Sequence, residues 1–308
     1  MPSHPTLTCA PTAGFETWLA GSGVALAVTT CQAGVVLLID AAQDRLRVRT
    51  WDGPRPMGLA SDGPRMAVAC RREIVVLHDL APVASHTVGD VDVHDLAIGR
   101  DGLWFVNTKC SSLCVMDEGG AIEARWRPSF VSALTPEDRC HLNGLAMEHG
   151  RPRFVTALGA TDEAGAWRSR RTGGGVLIDV ESGDTIVSDL CMPHSPRGHR
   201  GKWWLLNSGR GELCRIDPDA GRVEVVGAVP GYARGLCFAG GHAVVGMSRV
   251  RPAHLFDGLP LRQRFERLRC GLAVIDVETG ATVGMLELTG CEELYDVQVA
   301  PAPLRLSY

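Results

Sequence analysis

The sequence predicts an all-β chain folded as a six-bladed β-propeller, and three observations carry that prediction. Apolar runs of about five residues alternate with turns rich in Gly, Asp and Asn, the signature of strands and tight turns. The runs recur in one fixed order, six times, at an average spacing of about 51 residues, which is the arithmetic of four-stranded blades. No stretch shows an amphipathic helix longer than two or three turns. Residues 1–308 therefore read as a single propeller domain.

The clearest unit covers residues 94–126. A strand at Asp95-Leu96-Ala97-Ile98 is followed by the turn Gly99-Arg100-Asp101-Gly102 and a strand at Leu103-Trp104-Phe105-Val106. The polar loop Asn107-Thr108-Lys109 leads to Leu113-Cys114-Val115-Met116, and a fourth strand fits 121–126. Copies of the first strand fall at 57–60, 143–146, 234–237 and 295–298, with Pro196-Arg197 marking a weaker one. Copies of the second fall near 25–28, 66–69, 154–157, 203–206 and 243–246. The third strand recurs with a closing Asp, as in Leu37-Leu38-Ile39-Asp40 and Val176-Leu177-Ile178-Asp179. The last copy of the first strand, 295–299, has no successor, so it is expected to become the innermost strand of the blade begun near residue 25. That closure removes the open sheet edges of the ring. The alternative is a separate N-terminal strand over 15–19.

Composition narrows the function classes. With 45% hydrophobic and 21% charged residues the chain can bury a core. A net charge of −4 leaves no basic footprint for nucleic acid. Apolar runs such as Val35-Val36-Leu37-Leu38-Ile39 are too short to span a bilayer, so no membrane partner is expected. The start, Met1-Pro2-Ser3-His4-Pro5, lacks the basic and apolar regions of a secretory leader, which points to the cytoplasm. Eleven cysteines without a CxxC pair read as reduced, mostly buried residues.

Blade topology sorts the polar residues. Antiparallel strands put the lead-in to each first strand and each loop between strands two and three on the same face. That face collects His94, His141 and His194. Imidazoles converging at a channel mouth suit a divalent transition metal, with Glu292 or Asp296 completing the set. Equally, His141 and His194 suit acid–base catalysis, and the plain alternative is that each ring bonds a loop carbonyl. Arg197, Arg210, Arg234 and Arg249 share the face, where guanidinium groups bind carboxylate or phosphate bidentately; the alternative is pairing with Glu292, Glu293 or Asp296. Asn107, Asn143 and Asn207 are candidates for orienting a substrate. Two insertions, 160–172 and 250–269, leave from the junction of strands two and three and should overhang this face. Gly173-Gly174-Gly175 precedes a strand, so it is no phosphate loop, and Ser195 has no nucleophile-elbow context.

The strings Thr29-Thr30-Cys31-Gln32-Ala33-Gly34, Arg55-Pro56-Met57-Gly58-Leu59-Ala60, Cys140-His141-Leu142-Asn143-Gly144-Leu145-Ala146 and Met192-Pro193-His194-Ser195-Pro196-Arg197 carry a resemblance. So do Leu206-Asn207-Ser208-Gly209-Arg210-Gly211-Glu212-Leu213 and Glu292-Glu293-Leu294-Tyr295-Asp296-Val297-Gln298. Over almost the whole chain it resembles a bacterial family of conserved hypothetical proteins, a domain of unknown function sometimes joined to tetratricopeptide repeats. The resemblance implies a β-propeller and supplies no reaction. In architecture the chain is distantly similar to lactonase and strictosidine-synthase-like six-bladed propellers. Their calcium sites use Glu, Asn and Asp, whereas this chain offers three histidines.

Two functions follow. One is an enzyme acting at the channel mouth on a small anionic or carboxylate-bearing molecule, or a peptide, by His- or metal-assisted proton transfer, as a lyase, isomerase or hydrolase. The other is a non-catalytic propeller that binds a peptide or partner protein through the same face.

Overall fold

The repeating unit forms the four strands expected of it in each of six sheets. The computed structural model describes residues 7–42, 45–250 and 258–301. Blade 2 runs Leu59–Asp62, Arg65–Ala69, Glu73–His78 and Ala81–Thr87. Blade 3 runs Val93–Gly99, Gly102–Asn107, Ser112–Met116 and Ile122–Trp126, and blade 4 Leu142–Glu148, Arg151–Ala157, Gly175–Asp179 and Thr185–Leu190. Blade 5 holds Pro193–His199, Lys202–Asn207, Glu212–Asp217 and Arg222–Ala228; blade 6 holds Tyr232–Ala239, His242–Ser248, Gly271–Asp276 and Thr282–Thr289. Blade 1 is closed by the chain's C-terminal strand, in the order Asp296–Pro301, Val24–Thr30, Val35–Ala42, Arg45–Asp52. Successive inner strands touch around the whole ring.

Burial follows from position in a blade. Second and third strands are covered on both faces by neighbouring blades and read as continuous apolar runs, as in Val24–Thr30 and Ser112–Met116. Outer strands such as Ile122–Trp126 face solvent. The core lies between blades: Trp204, Leu206 and Leu213 of blade 5 pack with Leu236, Val245 and Ala273 of blade 6.

The ring seam is tied from both chain ends. The closing strand pairs Val299 with Leu26, Val297 with Val28 and Asp296 with Thr29, the closure expected from the strand count. Residues 15–19 are not a strand. They lie in a helix, Ala13–Ser22, begun by Thr12, whose hydroxyl accepts from Phe15 N, and ended by Gly23 in the left-handed conformation. Helical spacing turns Phe15, Trp18 and Leu19 onto one buried face, packed with residues of blades 1 and 6. Ahead of it, Thr8–Pro11 adds a fifth, outermost strand to blade 6, with Cys9 opposite Leu288. One chain end thus seals the inside of the seam and the other its outside.

None of the eleven cysteines is bridged in the structure, and eight of them are buried. Among the described residues, no helix is long and apolar enough to cross a membrane.

Candidate functional site at the channel mouth

Pairing register defines what faces the channel. In blades 3 to 6 the ladder between the two innermost strands is interrupted by a bulge near the mouth, and bulges re-aim side chains. Matching the ladders aligns Tyr295, Met57, His94, Asn143, His194 and Arg234, one per blade. The next residues alternate around the ring: Asp296, Gly58, Asp95, Gly144, Ser195 and Gly235. Each polar member reaches the next blade. Asp296 accepts from Leu59 N at 2.9 Å, Asp95 from Leu145 N at 3.0 Å and Ser195 Oγ from Gly235 N at 3.1 Å. Each glycine makes room for that approach. A Cβ on Gly235, at φ 79°, would lie 2.6 Å from Val297 N, and one on Gly58 would lie 2.9 Å from His94 O. The six blades therefore form three alternating pairs at the mouth.

His94 and His194 are held alike. The residue two positions earlier is left-handed (Asp92, φ 57°; Met192, φ 52°). Its carbonyl accepts the ring Nδ1–H, at 2.9 Å for His94 and 3.0 Å for His194. A hydroxyl fourteen positions later also meets Nδ1: Thr108 Oγ1 at 2.8 Å and Ser208 Oγ at 3.1 Å. A carbonyl only accepts, so each neutral ring carries its proton on Nδ1 and a lone pair on Nε2. Both rings are buried. Burial first, then neighbouring charge, holds both well below the ordinary imidazole range; for His194 the charge is foremost Arg234, for His94 it is His141 and Arg234.

His141 stands differently. It aligns with Asp92 and Met192, shares their left-handed backbone at φ 51°, and yields the ring position to Asn143. Its Nδ1 meets the Asp138 carboxylate at 2.9 Å, and its ring packs on Trp167 at 4.3 Å and edge-on to His94 at 4.8 Å. Asp138 also accepts from Trp167 Nε1 at 3.0 Å and from Arg168 at 3.2 Å. His141 thus presents Nε2 from a fixed rim position. The structure brings the three histidines together on one face, in two kinds of site.

Arg234 completes the cluster. Its guanidinium lies over the Tyr295 ring at 4.4 Å and the Tyr232 ring at 5.6 Å, and Nη2 donates to His194 Nε2 at 3.4 Å. Among the described residues it forms no ion pair with a carboxylate. Three buried polar atoms here meet no partner among the described residues: Arg234 Nε, Asn143 Nδ2 and Tyr295 Oη. Asn143 Oδ1 is meanwhile engaged by the Thr156 hydroxyl at 2.7 Å.

The other candidates lie elsewhere or are used internally. Arg197 is engaged inside the channel by Asp95, Asp296 and three carbonyls, so its fork is not presented to a ligand. Asn107 accepts from Cys110 N at 2.9 Å. Asn207 accepts from Cys191 N and donates to Glu212, at 2.8 and 2.9 Å. Arg210 is exposed on the turn that follows. Arg249 pairs with Glu287 at 3.3 Å, a carboxylate shared with Arg267 and Arg269. Glu292 lines a separate groove with Arg249, Arg262 and Phe265.

His94, His141, His194 and Glu292 therefore do not fit a preassembled metal centre. Glu292 is apart, and a guanidinium cation sits against the His194 nitrogen that would coordinate. Among the described residues no group of three or more His, Cys, Asp or Glu side chains is placed to hold a metal.

Both insertions reach the mouth face. The first carries the short 3-10 helix Ala166–Arg170 and buries Trp167. The second has Leu259 and the helical turn Leu261–Arg264; its residues 251–257 lie outside the described ones. Trp167, Leu259 and Leu261 share one apolar cluster with Met192 and Tyr232. Sequence reading placed both loops over this face but missed Asp138, Tyr232 and Tyr295. The signal for Tyr295 was present, since Tyr295-Asp296 stands where His94-Asp95 and His194-Ser195 stand.

A family model described as a domain of unknown function (DUF4915) matches residues 13–305. No curated protein matches the chain. Two solved structures share the fold, and a third has a weaker likeness. A chain of the nidogen/laminin complex has TM-score 0.63 and 11% identity, covering 90% of this chain and 98% of that one. A protein of unknown function from Bacteroides caccae has TM-score 0.57 and 10% identity, with the same 90% and 98% coverage. A catalytically inactive virginiamycin B lyase from Staphylococcus aureus, solved with quinupristin, has TM-score 0.46 and 12% identity over 79% of this chain and 96% of that one.

Proposed function

We propose, for a chain that belongs to the DUF4915 family, that the channel mouth is an enzyme site that binds a small carboxylate-bearing molecule and moves a proton on it. The observation that carries this reading is a set of three buried donors on the mouth face, Arg234 Nε, Asn143 Nδ2 and Tyr295 Oη, that meet no partner among the described residues, with Arg234 against His194 and Tyr295 against His94. Buried polar groups in folded proteins are nearly always satisfied, so three together call for an acceptor-rich ligand. Arg234 supplies the cation, and a carboxylate matches its fork. His141 is the proton acceptor in this reading. The Asp138 carboxylate fixes its tautomer and stabilises the imidazolium that forms when Nε2 takes a proton. His94 and His194 remain neutral acceptors beside it. No metal enters the step.

The test is ligand-induced stabilisation with a panel of small carboxylates and phosphates, followed by proton NMR in D2O for exchange of substrate C–H. A carboxylate at a hundredfold excess over Kd should add about 2.7 kcal/mol to stability. Arg234→Met should abolish that gain. His141→Asn should keep binding and lose exchange. Binding without any turnover would make the mouth a recognition site instead. No stabilisation by any small anion, or stabilisation that persists in Arg234→Met, overturns the reading.

A further inference from the structure

Cys31 lies in the turn between Val24–Thr30 and Val35–Ala42 of blade 1, on the mouth face, partly exposed. Its thiol donates to Glu293 Oε2 at 3.9 Å. It packs against the buried cluster that contains Met57 and Tyr295. Arg234 and Arg55 are close enough to bias its ionisation, although burial and Glu293 outweigh them and push the thiol up to about 11. It therefore stays protonated near neutral pH. Beside it stands Tyr295, 6% exposed, whose hydroxyl meets no partner among the described residues. Across the ring, three blades away, are His141 and Asn143, the latter 3% exposed with an amide nitrogen that likewise meets none among them.

We propose that Cys31, held by Glu293, is the second proton-transfer group of the mouth, facing the ligand from blade 1 while His141 faces it from blade 4. The substrate class is then a carboxylate whose neighbouring C–H is acidified by an adjacent carbonyl, and the reaction is isomerisation or epimerisation. His141 Nε2 takes the C–H proton, and the C–H electron pair moves into the carbonyl to give an enolate. The enolate re-forms the carbonyl as a new C–H bond forms with the Cys31 proton. The thiolate regains a proton from solvent beside Glu293, and His141 returns its own to solvent. This inference rests on the proton-transfer reading above.

Iodoacetate and iodoacetamide are the probes, with peptide mapping of the labelled cysteine. Sulfur attacks the methylene carbon, iodide leaves and the thiol proton goes to solvent. Only iodoacetate carries a carboxylate for Arg234. Relative to glutathione, Cys31 should prefer iodoacetate over iodoacetamide by about tenfold, through pre-positioning of the anion. Arg234→Met should return the ratio to that of glutathione. Should that variant not fold, unlabelled acetate gives the same comparison, slowing iodoacetate and sparing iodoacetamide. A ratio equal to glutathione's in the native protein, or a preference that survives Arg234→Met or acetate, overturns the proposal. If acetate still stabilises the native protein in an Arg234-dependent way, the anion site stands and only the role of Cys31 falls. If acetate and the other carboxylates do nothing, the underlying reading falls as well.

Discussion

Replacing Arg197 by Met should destabilise the protein, because this side chain holds five blades at once. Its Nη1 and Nη2 meet the two Asp95 oxygens at 2.9 and 3.2 Å, and Asp296 lies 3.9 Å away. It also donates to the carbonyls of Leu145 at 3.0 Å, Pro196 at 2.9 Å and Leu236 at 3.2 Å. The Asp95 and Asp296 side chains are only 4% and 5% exposed. Met fills much of the volume but leaves the buried Asp95 carboxylate without its cation, and breaking such a pair costs about 3–5 kcal/mol. A chain of this length has an unfolding entropy of roughly 0.65 kcal/mol/K, so Tm should fall by about 5–8 °C. Calorimetry at pH 7 measures this directly. Adding Asp95→Asn removes the stranded charge and should recover part of the loss, while Asp95→Asn alone should also destabilise. A variant that melts within about 1 °C of the parent, or a loss that Asp95→Asn leaves unchanged, would refute the assignment of Arg197 to the fold.

The fold was legible because each blade repeats its own chemistry. Four short apolar runs with Gly- and Asp-rich turns recur six times, and the unpaired last run at 295–299 fixed the closure. The helix Ala13–Ser22 was not legible, since its three buried side chains span little more than one turn and resemble a short apolar strand. Candidate site residues were chosen by topology, which brings their loops to one face but does not fix the side chains. His141 looked equivalent to His94 and His194 because each precedes an inner strand. Its left-handed backbone places it two residues earlier in register, a distinction carried by pairing and bulges. The arginines were likewise indistinguishable as letters. Arg197 is engaged across the ring by acids over a hundred residues away or close to it, whereas Arg234 meets two tyrosines. Such partners depend on which blades are neighbours at the channel, and no local motif encodes that. The alternation of polar residue and glycine at 296, 58, 95, 144, 195 and 235 was written in the sequence. It becomes meaningful only when the blades are set in ring order.

Deleting residues 294–308 removes the inner strand of blade 1 and its six-position ladder with Val24–Thr30. The truncated chain should lose its cooperative melt by calorimetry, and a transition like the full-length one would show that the ring does not need this closure. The pH dependence tests the mouth more finely. His94 faces His141, Arg234 and His194, and His194 faces Arg234 and His141. Burial and these charges depress both folded values, so between the folded and unfolded pKa the unfolded chain binds more protons. Their contribution is then fully present above the unfolded imidazole value and is lost as pH falls below it, by up to about 1.4 kcal/mol per pH unit for each ring. Asp296, pushed up to about 7 by burial, works in the opposite sense, since the folded state then holds the extra proton. A comparison between variants isolates the histidines. His194→Asn keeps a group able to donate to the Met192 carbonyl and removes one titrating ring. Its stability should therefore decline less steeply than the parent's as pH falls from 6.5, an approximate unfolded value. Equal slopes for parent and variant would mean that His194 is not held neutral against Arg234, and the lone pair assigned to its Nε2 would go with it.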